Sequence, residues 1–314
     1  MGTGPFAVPV FRWFADTEHL VLALVTKPAP PPRGRSKPPA NPMHAAATRH
    51  GIAVLTPPDV NARPFHAQLA EFAPELFVVC DYGQILSADT LRLAPLGGIN
   101  LHGSLLPRYR GAAPVNYAIW NGDRETGVTA IHMTPRLDAG PILAARQTEI
   151  GVQEDACALE LRLARLGVPC VEEAVQQLAG WDRGGPLGLP QDNAQASRAP
   201  RLKKSDGLID WADSATRICN QVRALKPWPG SFTFLARGDQ CTRLILHQVT
   251  VEQDLDQASQ PGVITRADRR QLWVATGDRL LGLQRVQLPG KRAMDVAELL
   301  QGYPIAPGTR LVKG

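Results

Sequence analysis

The sequence predicts two domains of different class, a doubly wound parallel α/β sheet followed by a small β-barrel. Three observations carry this. The chain has 314 residues, long enough to divide into two cores. Its first two-thirds alternate short apolar runs with amphipathic stretches, the signature of a sheet wound by helices. Beyond residue 205 short strand-like segments follow one another at close spacing. Between these regions, residues 181–204 are rich in Gly, Pro, Gln, Asn and Ser without periodicity, which reads as a linker. The domains are therefore expected at 1–180 and 205–314.

Phe6 to Phe14 reads as the opening helix and Leu20 to Thr26 as a buried strand. A basic, Pro-rich loop runs from Lys27 to Asn41. Asn41-Pro42 is an N-cap followed by proline at the first helical position, and that helix stops at Gly51. Ile52 to Leu55 is a short strand, Phe65 to Phe72 a helix and Leu76 to Cys80 the next buried strand. Ser87 caps a short helix, and Ile99 to Leu101 is a strand. Pro114 to Trp120 reads as helix, Val128 to Met133 as strand, and Ala156 to Leu166 and Cys170 to Leu178 as two further helices. In the second domain a helix at Ser214 to Leu225 precedes strands at 232–235, 244–251, 263–265, 272–275 and 280–288. A doubly wound domain usually begins with a buried strand before its first loop and helix. This chain begins at Met1-Gly2-Thr3-Gly4, already a loop, so the first strand is missing.

Bulk properties narrow the function classes. No apolar run is long enough to cross a bilayer, and the start lacks the pattern of a signal peptide. The five cysteines are scattered with no Cys-x-x-Cys pair, which points to reduced, buried thiols in the cytoplasm and to no metal centre. The net charge of +5 permits a polyanionic partner without demanding one. Arg33, Arg35 and Lys37 lie in the Pro-rich loop; Arg198, Arg201, Lys203 and Lys204 form a second basic group.

The chemistry concentrates in Gly98-Ile99-Asn100-Leu101-His102-Gly103 and in Leu137-Asp138-Ala139-Gly140. Asn100 and His102 lie two apart on a strand and share one face. They sit at its carboxyl end, where open α/β sheets bind ligands. Asn100 can donate to an oxyanion, His102 can carry a proton, and Asp138 can orient the imidazole. Alone, each has an ordinary structural explanation. Ser104-Leu105-Leu106-Pro107 makes a rigid turn, and the arginines of Arg108-Tyr109-Arg110-Gly111 either meet anions or are solvated.

Taken with Gly2-Thr3, Phe6-Ala7-Val8-Pro9, Tyr82-Gly83-Gln84-Ile85-Leu86, Asp206-Gly207-Leu208-Ile209-Asp210-Trp211, Pro227-Trp228-Pro229-Gly230 and Gly290-Lys291-Arg292, these motifs give the chain a resemblance to the methionyl-tRNA formyltransferase family over almost its whole length. The Asn/His/Asp set is shared with other 10-formyltetrahydrofolate enzymes; the second-domain motifs narrow the match. The resemblance implies a Rossmann-like catalytic domain and an OB-like, tRNA-binding one. It implies a cytoplasmic monomer that formylates initiator methionyl-tRNA from 10-formyltetrahydrofolate by direct amine attack through a tetrahedral intermediate, without metal. Asn100, His102 and Asp138 would then be catalytic. Tyr82, Gly83, Gln84, Ile85, Leu86, Ser104, Leu105, Leu106 and Pro107 would bind the folate. Arg33, Arg35, Lys37, Lys203, Lys204, Lys291 and Arg292 would meet the tRNA.

Three departures from the family pattern stand out. The absent first strand leads to the expectation that Met1 is an internal methionine with coding sequence upstream. The basic loop is shifted by one residue, and Asp81 stands where a small apolar residue is usual. The competing readings are formyl transfer to a small amine, such as a sugar nucleotide, and an inactive RNA-binding relic.

Overall fold

A computed structural model describes residues 1–31, 40–183, 185–238, 240–252, 260–268 and 270–313. The chain forms two compact units. The first comprises Met1–Pro114, Glu125–Glu149 and Ala158–Pro200; the second comprises Val115–Arg124, Ile150–Cys157 and Arg201–Gly314. The expected boundaries shift accordingly. Most of the supposed linker 181–204 is folded into the first unit, because its backbone finds partners there. Leu189 exchanges two main-chain hydrogen bonds with Ile142 at 2.8 Å, and Arg198-Ala199 pairs in parallel with Arg110-Gly111.

In chain order the first unit begins with α1 (Val8–Asp16), β1 (Leu24–Val25), α2 (Pro42–Arg49), β2 (Val54–Leu55) and α3 (Arg63–Glu71). It continues with β3 (Phe77–Cys80), α4 (Ala88–Leu91), β4 (Gly98–His102) and β5 (Arg110–Gly111). Next come α5 (Pro114–Trp120), most of which belongs to the second unit, then β6 (Glu125–His132), β7 (Ile142–Glu149), α6 (Ala156–Ala179) and β8 (Arg198–Ala199). The expected caps are present. Asn41 Oδ1 accepts from Met43 N at 2.9 Å and His44 N at 3.3 Å, and Ser87 Oγ accepts from Thr90 N at 3.1 Å.

The sheet is parallel only on its amino-terminal side. β1 pairs with β2 and β3 with β4 in parallel, but β6 joins β4 antiparallel and β7 joins β6 antiparallel. The expected parallel sheet carries two antiparallel strands on this edge. No crossover helix carries the chain back to the starting end of the sheet between β6 and β7, so these two strands run in opposite directions.

The two helices expected around residues 156–178 are one continuous α6 with Pro169 inside it. Interior proline costs about 3 kcal/mol. Burial of Leu159, Leu163, Cys170, Val171, Ala174 and Leu178 along one face outweighs it at about 1.5–3 kcal/mol per large side chain. Gly167 lets that face approach β4: a Cβ there would lie 2.3 Å from Leu101 Cδ2.

Met1 to Thr3 stand where a central strand belongs. Gly2 bridges Cys80 in parallel. Gly2 N donates to Val25 O at 3.0 Å, Cys80 N to Met1 O at 3.0 Å and Thr3 N to Asp81 O at 3.1 Å. This short segment joins β1 to β3, and the ladder ends at Met1. Beyond it lies a cavity of about 720 Å³ walled by Leu20 to Val25 on one side and Leu76 to Val78 on the other. The predicted strand Leu20–Thr26 is reduced to Leu24–Val25.

The Met1 ammonium donates to Val78 O, and burial lowers its pKa from 8.0 to about 6. The unfolded chain therefore binds more protons than the folded one between about pH 6 and 8. Stability of the 314-residue chain is expected to rise with pH across that window, with the full penalty present below it. Thermal melts of the free and Nα-acetylated chains check this: the pH slope assigned to the amine disappears on acetylation.

The second unit holds α7 (Ala215–Ala224), β9 (Ser231–Arg237), β10 (Gln240–Val251), β11 (Ile264–Ala267), β12 (Leu272–Ala275), β13 (Leu280–Gln287), β14 (Met294–Asp295), α8 (Val296–Gly302) and β15 (Leu311–Val312). Its antiparallel order is β11-β12-β13-β10-β9-β15. The two end strands meet through a bridge between Val263 and Arg310, which closes the sheet into the expected barrel around Trp211, Ile218, Leu235, Leu246, Leu272 and Leu283.

Candidate active site

β4 presents alternate residues to opposite sides, as a strand must. Ile99 and Leu101 are buried; Asn100 is half-buried, and His102 is 5% exposed. Three bonds fix the turn that follows. Ser104 Oγ donates to Arg108 O at 2.7 Å, Thr129 Oγ1 donates to Ser104 O at 2.7 Å, and Leu106 N donates to Thr129 Oγ1 at 3.1 Å. The Leu106-Pro107 peptide is cis.

Asp138 is the meeting point. Its Oδ1 accepts from Asn100 Nδ2 at 3.4 Å, and its Oδ2 accepts from Gly111 N at 2.8 Å and lies 3.8 Å from His102 Nδ1. The three residues expected to act together are therefore assembled from β4 and the loop between β6 and β7. The opposite ring nitrogen, His102 Nε2, lies 2.8 Å from Tyr109 O. A carbonyl only accepts, so Nε2 carries a hydrogen and Nδ1 is the nitrogen facing the carboxylate. Asn100 keeps one amide hydrogen and its carbonyl oxygen beyond the bond to Asp138. That remaining donor is what an oxyanion site requires.

The loop holding Asp138 is tightly placed. A Cβ on Gly140 would lie 1.8 Å from His132 O, closer than atoms can approach. Gly140→Ala is expected to move the loop and to lower kcat by at least about tenfold, since loss of fixed orientation alone costs this much. Steady-state kinetics with a melting curve check it.

The loop after β3 is clamped to residues 57–61. Val60 N donates to Gln84 Oε1 at 2.8 Å, Asn61 Nδ2 donates to Ile85 O at 2.9 Å, and Ser87 N donates to Asn61 Oδ1 at 2.8 Å. Tyr82 and Leu86 point into the core beside Val60 and Phe65, and burial pushes the Tyr82 phenol up to about 12. Ser104 and Leu106 are also buried. The side chains of these four expected folate residues therefore support their loops from beneath. Ile85, 60% exposed, and Gly83, Leu105 and Pro107 remain at or near the surface. Both loops leave neighbouring parallel strands at their carboxyl ends. An exposed apolar side chain on a rigid loop there suits a flat heteroaromatic ring.

Asp81 now has an account. Its carboxylate accepts from Gly4 N–H, and it occupies the space a side chain at Gly4 would fill, 1.7 Å from an added Cβ. It serves the start of the opening helical segment. Lys203, Lys204, Lys291 and Arg292 are exposed on the second unit, Arg292 paired with Glu298. Arg33, Arg35 and Lys37 lie outside the described residues. Burial raises the Cys80 and Cys170 thiols, so neither is a ready nucleophile. Among the described residues no group of three His, Cys, Asp or Glu could hold a metal ion, and no helix is long and apolar enough to cross a membrane.

Residues 2–175 match the formyl transferase family, and residues 201–304 match the formyl transferase C-terminal domain. A methionyl-tRNA formyltransferase of Rhodopirellula baltica is 42% identical over 321 residues, covering 99% of this chain and 95% of its own. The chain belongs to the methionyl-tRNA formyltransferase family. The family member of Pelobacter propionicus is 43% identical over 312 residues, covering 99% and 94%. Among solved structures, the N-formyltransferase of Helicobacter canadensis, in complex with folinic acid and dTDP-3-aminofucose, shares the fold at TM-score 0.62 and 17% identity, over 90% of this chain and 97% of that one. HypX of Aquifex aeolicus with tetrahydrofolic acid aligns at TM-score 0.56 and 20% identity, over 81% and 43%. Sequence reading of this family member missed Asn61, Thr129, Gln191 and Ser197, all of which act on the site through hydrogen bonds to loop backbone. Only tertiary placement gives them their role.

Proposed function

We propose that this chain transfers the formyl group of 10-formyltetrahydrofolate to the α-amine of methionine on initiator methionyl-tRNA, acting as a monomer in the cytoplasm. Family membership supports the reaction. The convergence of Asn100 and His102 on Asp138 at the end of β4 is the observation that carries the site.

The donor supplies an electrophilic formyl carbon on nitrogen. Asn100, oriented by Asp138, gives its second amide hydrogen to the formyl oxygen as negative charge develops there. His102 holds or moves a proton at Nδ1 while Tyr109 O fixes the ring through Nε2. Asp138 balances the imidazolium and holds both partners in one geometry. Ile85, Leu105 and Pro107, with the backbone around Gly83, form the folate-facing surface. Lys203, Lys204, Lys291 and Arg292 supply positive charge for tRNA phosphates.

Purified protein given 10-formyltetrahydrofolate and methionyl initiator tRNA should yield formylmethionyl-tRNA, with far slower transfer to free methionine or amino-sugar nucleotides. Preferred transfer to a small amine would establish the competing enzyme reading. Binding of tRNA without transfer to any amine would establish the non-catalytic one.

A further inference from the structure

Gln191, within the segment read from sequence as a linker, makes four hydrogen bonds through one carboxamide. Its Nε2 donates to Asp138 O at 2.9 Å and to Gly140 O at 2.7 Å. Its Oε1 accepts from Arg110 Nε at 3.1 Å and Nη2 at 2.7 Å. Arg110 directly precedes Gly111, whose N–H donates to the Asp138 carboxylate at 2.8 Å. The bonds close a ring: from Gln191 to the Asp138 backbone, from the Asp138 carboxylate to Gly111, and from the Arg110 guanidinium back to Gln191. Two loops and the strap at 185–200 are thereby fixed against one another. Arg110 is accounted for as part of this ring.

Asp138 needs such support. Its φ of 49° lies in the left-handed region, which is uncommon for a non-glycine residue even though Asp enters it more readily than most, so contacts that hold it there matter. The carboxamide of Gln191 holds the carbonyl of that residue and the carbonyl two residues on. Elsewhere the strap has its own anchors. Leu189 bonds to Ile142, Tyr109 N donates to Ser197 Oγ at 2.9 Å, and Ala113 N donates to Ala199 O at 3.2 Å. Removing the Gln191 side chain therefore leaves the strap attached.

We infer that Gln191 is a positioning residue, setting where the Asp138 carboxylate meets Asn100 and His102; its catalytic consequence rests on the formyl-transfer reading above. Gln191→Ala removes the whole clamp. Gln191→Glu keeps an acceptor for Arg110 but sets a carboxylate against two carbonyl oxygens, so the isosteric change should not rescue.

The test measures wild type, Q191A, Q191E, D138A and the D138A/Q191A double variant. Both Gln191 variants are expected to lose about tenfold or more in kcat with KM for donor and tRNA within about twofold, and Q191A should add nothing to D138A. Melting temperatures of the Gln191 variants should stay near wild type. The ring ¹⁵N resonances of His102 should move in Q191A in the same direction as in D138A. Wild-type kcat in Q191A, a wild-type rate in Q191E, additivity with D138A or unmoved His102 resonances would each overturn the assignment. The resonance measurement needs no turnover. A wild-type protein that formylates nothing would refute the functional reading, while the resonances still decide the positioning role.

Discussion

Replacing Asp138 by Ala is expected to lower kcat by about 10²- to 10³-fold, the range for losing a group that supports both proton transfer and oxyanion stabilisation. The carboxylate accepts from Asn100 and from Gly111 and stands beside His102 Nδ1, so its loss releases three partners together. Asp138→Asn is expected to fall nearly as far. An amide offers one acceptor oxygen, so retaining the Gly111 bond turns the new NH₂ group toward the Asn100 NH₂ group, two donors face to face. Because the residues act as a unit, N100A or H102A in a D138A background should cost far less than in the wild type. Single-turnover formylation, with melting curves to show that each variant is folded, measures all of this. Additive losses would separate the three residues into independent roles.

Filling the slot beside Met1 gives the second large effect. Joining an extended apolar pentapeptide such as Val-Ile-Val-Phe-Val ahead of Met1 continues the ladder that stops there and places side chains in the 720 Å³ cavity. Each buried side chain returns about 1.5–3 kcal/mol, against about 1–2 kcal/mol of backbone entropy per ordered residue. With the hydrogen bonds added on both edges, a net gain of a few kcal/mol is expected. For units of this size that is roughly 5–10 °C in Tm. A Gly-Ser extension of equal length should leave Tm near its original value. Equal melting for both extensions would mean that the slot closes by other means.

The placing of Asn100 and His102 was legible because its signals are local. Asn100 and His102 alternate on one short strand, and α5 and β12 keep their predicted bounds at Pro114–Trp120 and Leu272–Ala275. What escaped depends on partners far along the chain. β7 includes Ala144, Ala145 and Arg146, residues of weak strand preference, and is a strand because β6 pairs with it. β5 and β8 are two residues each, below any periodic signal. Polar composition marked residues 181–204 as linker, yet the same Gln, Asn and Ser side chains supply the bonds that tie them to the loops. Leu20 to Ala23 show the converse: a strong apolar strand signal there yields a strand only at Leu24–Val25.

The closure of the barrel has a consequence for handling the protein. With β11 and β15 joined at Val263 and Arg310, the described residues of the second unit present no long open border for another chain to extend.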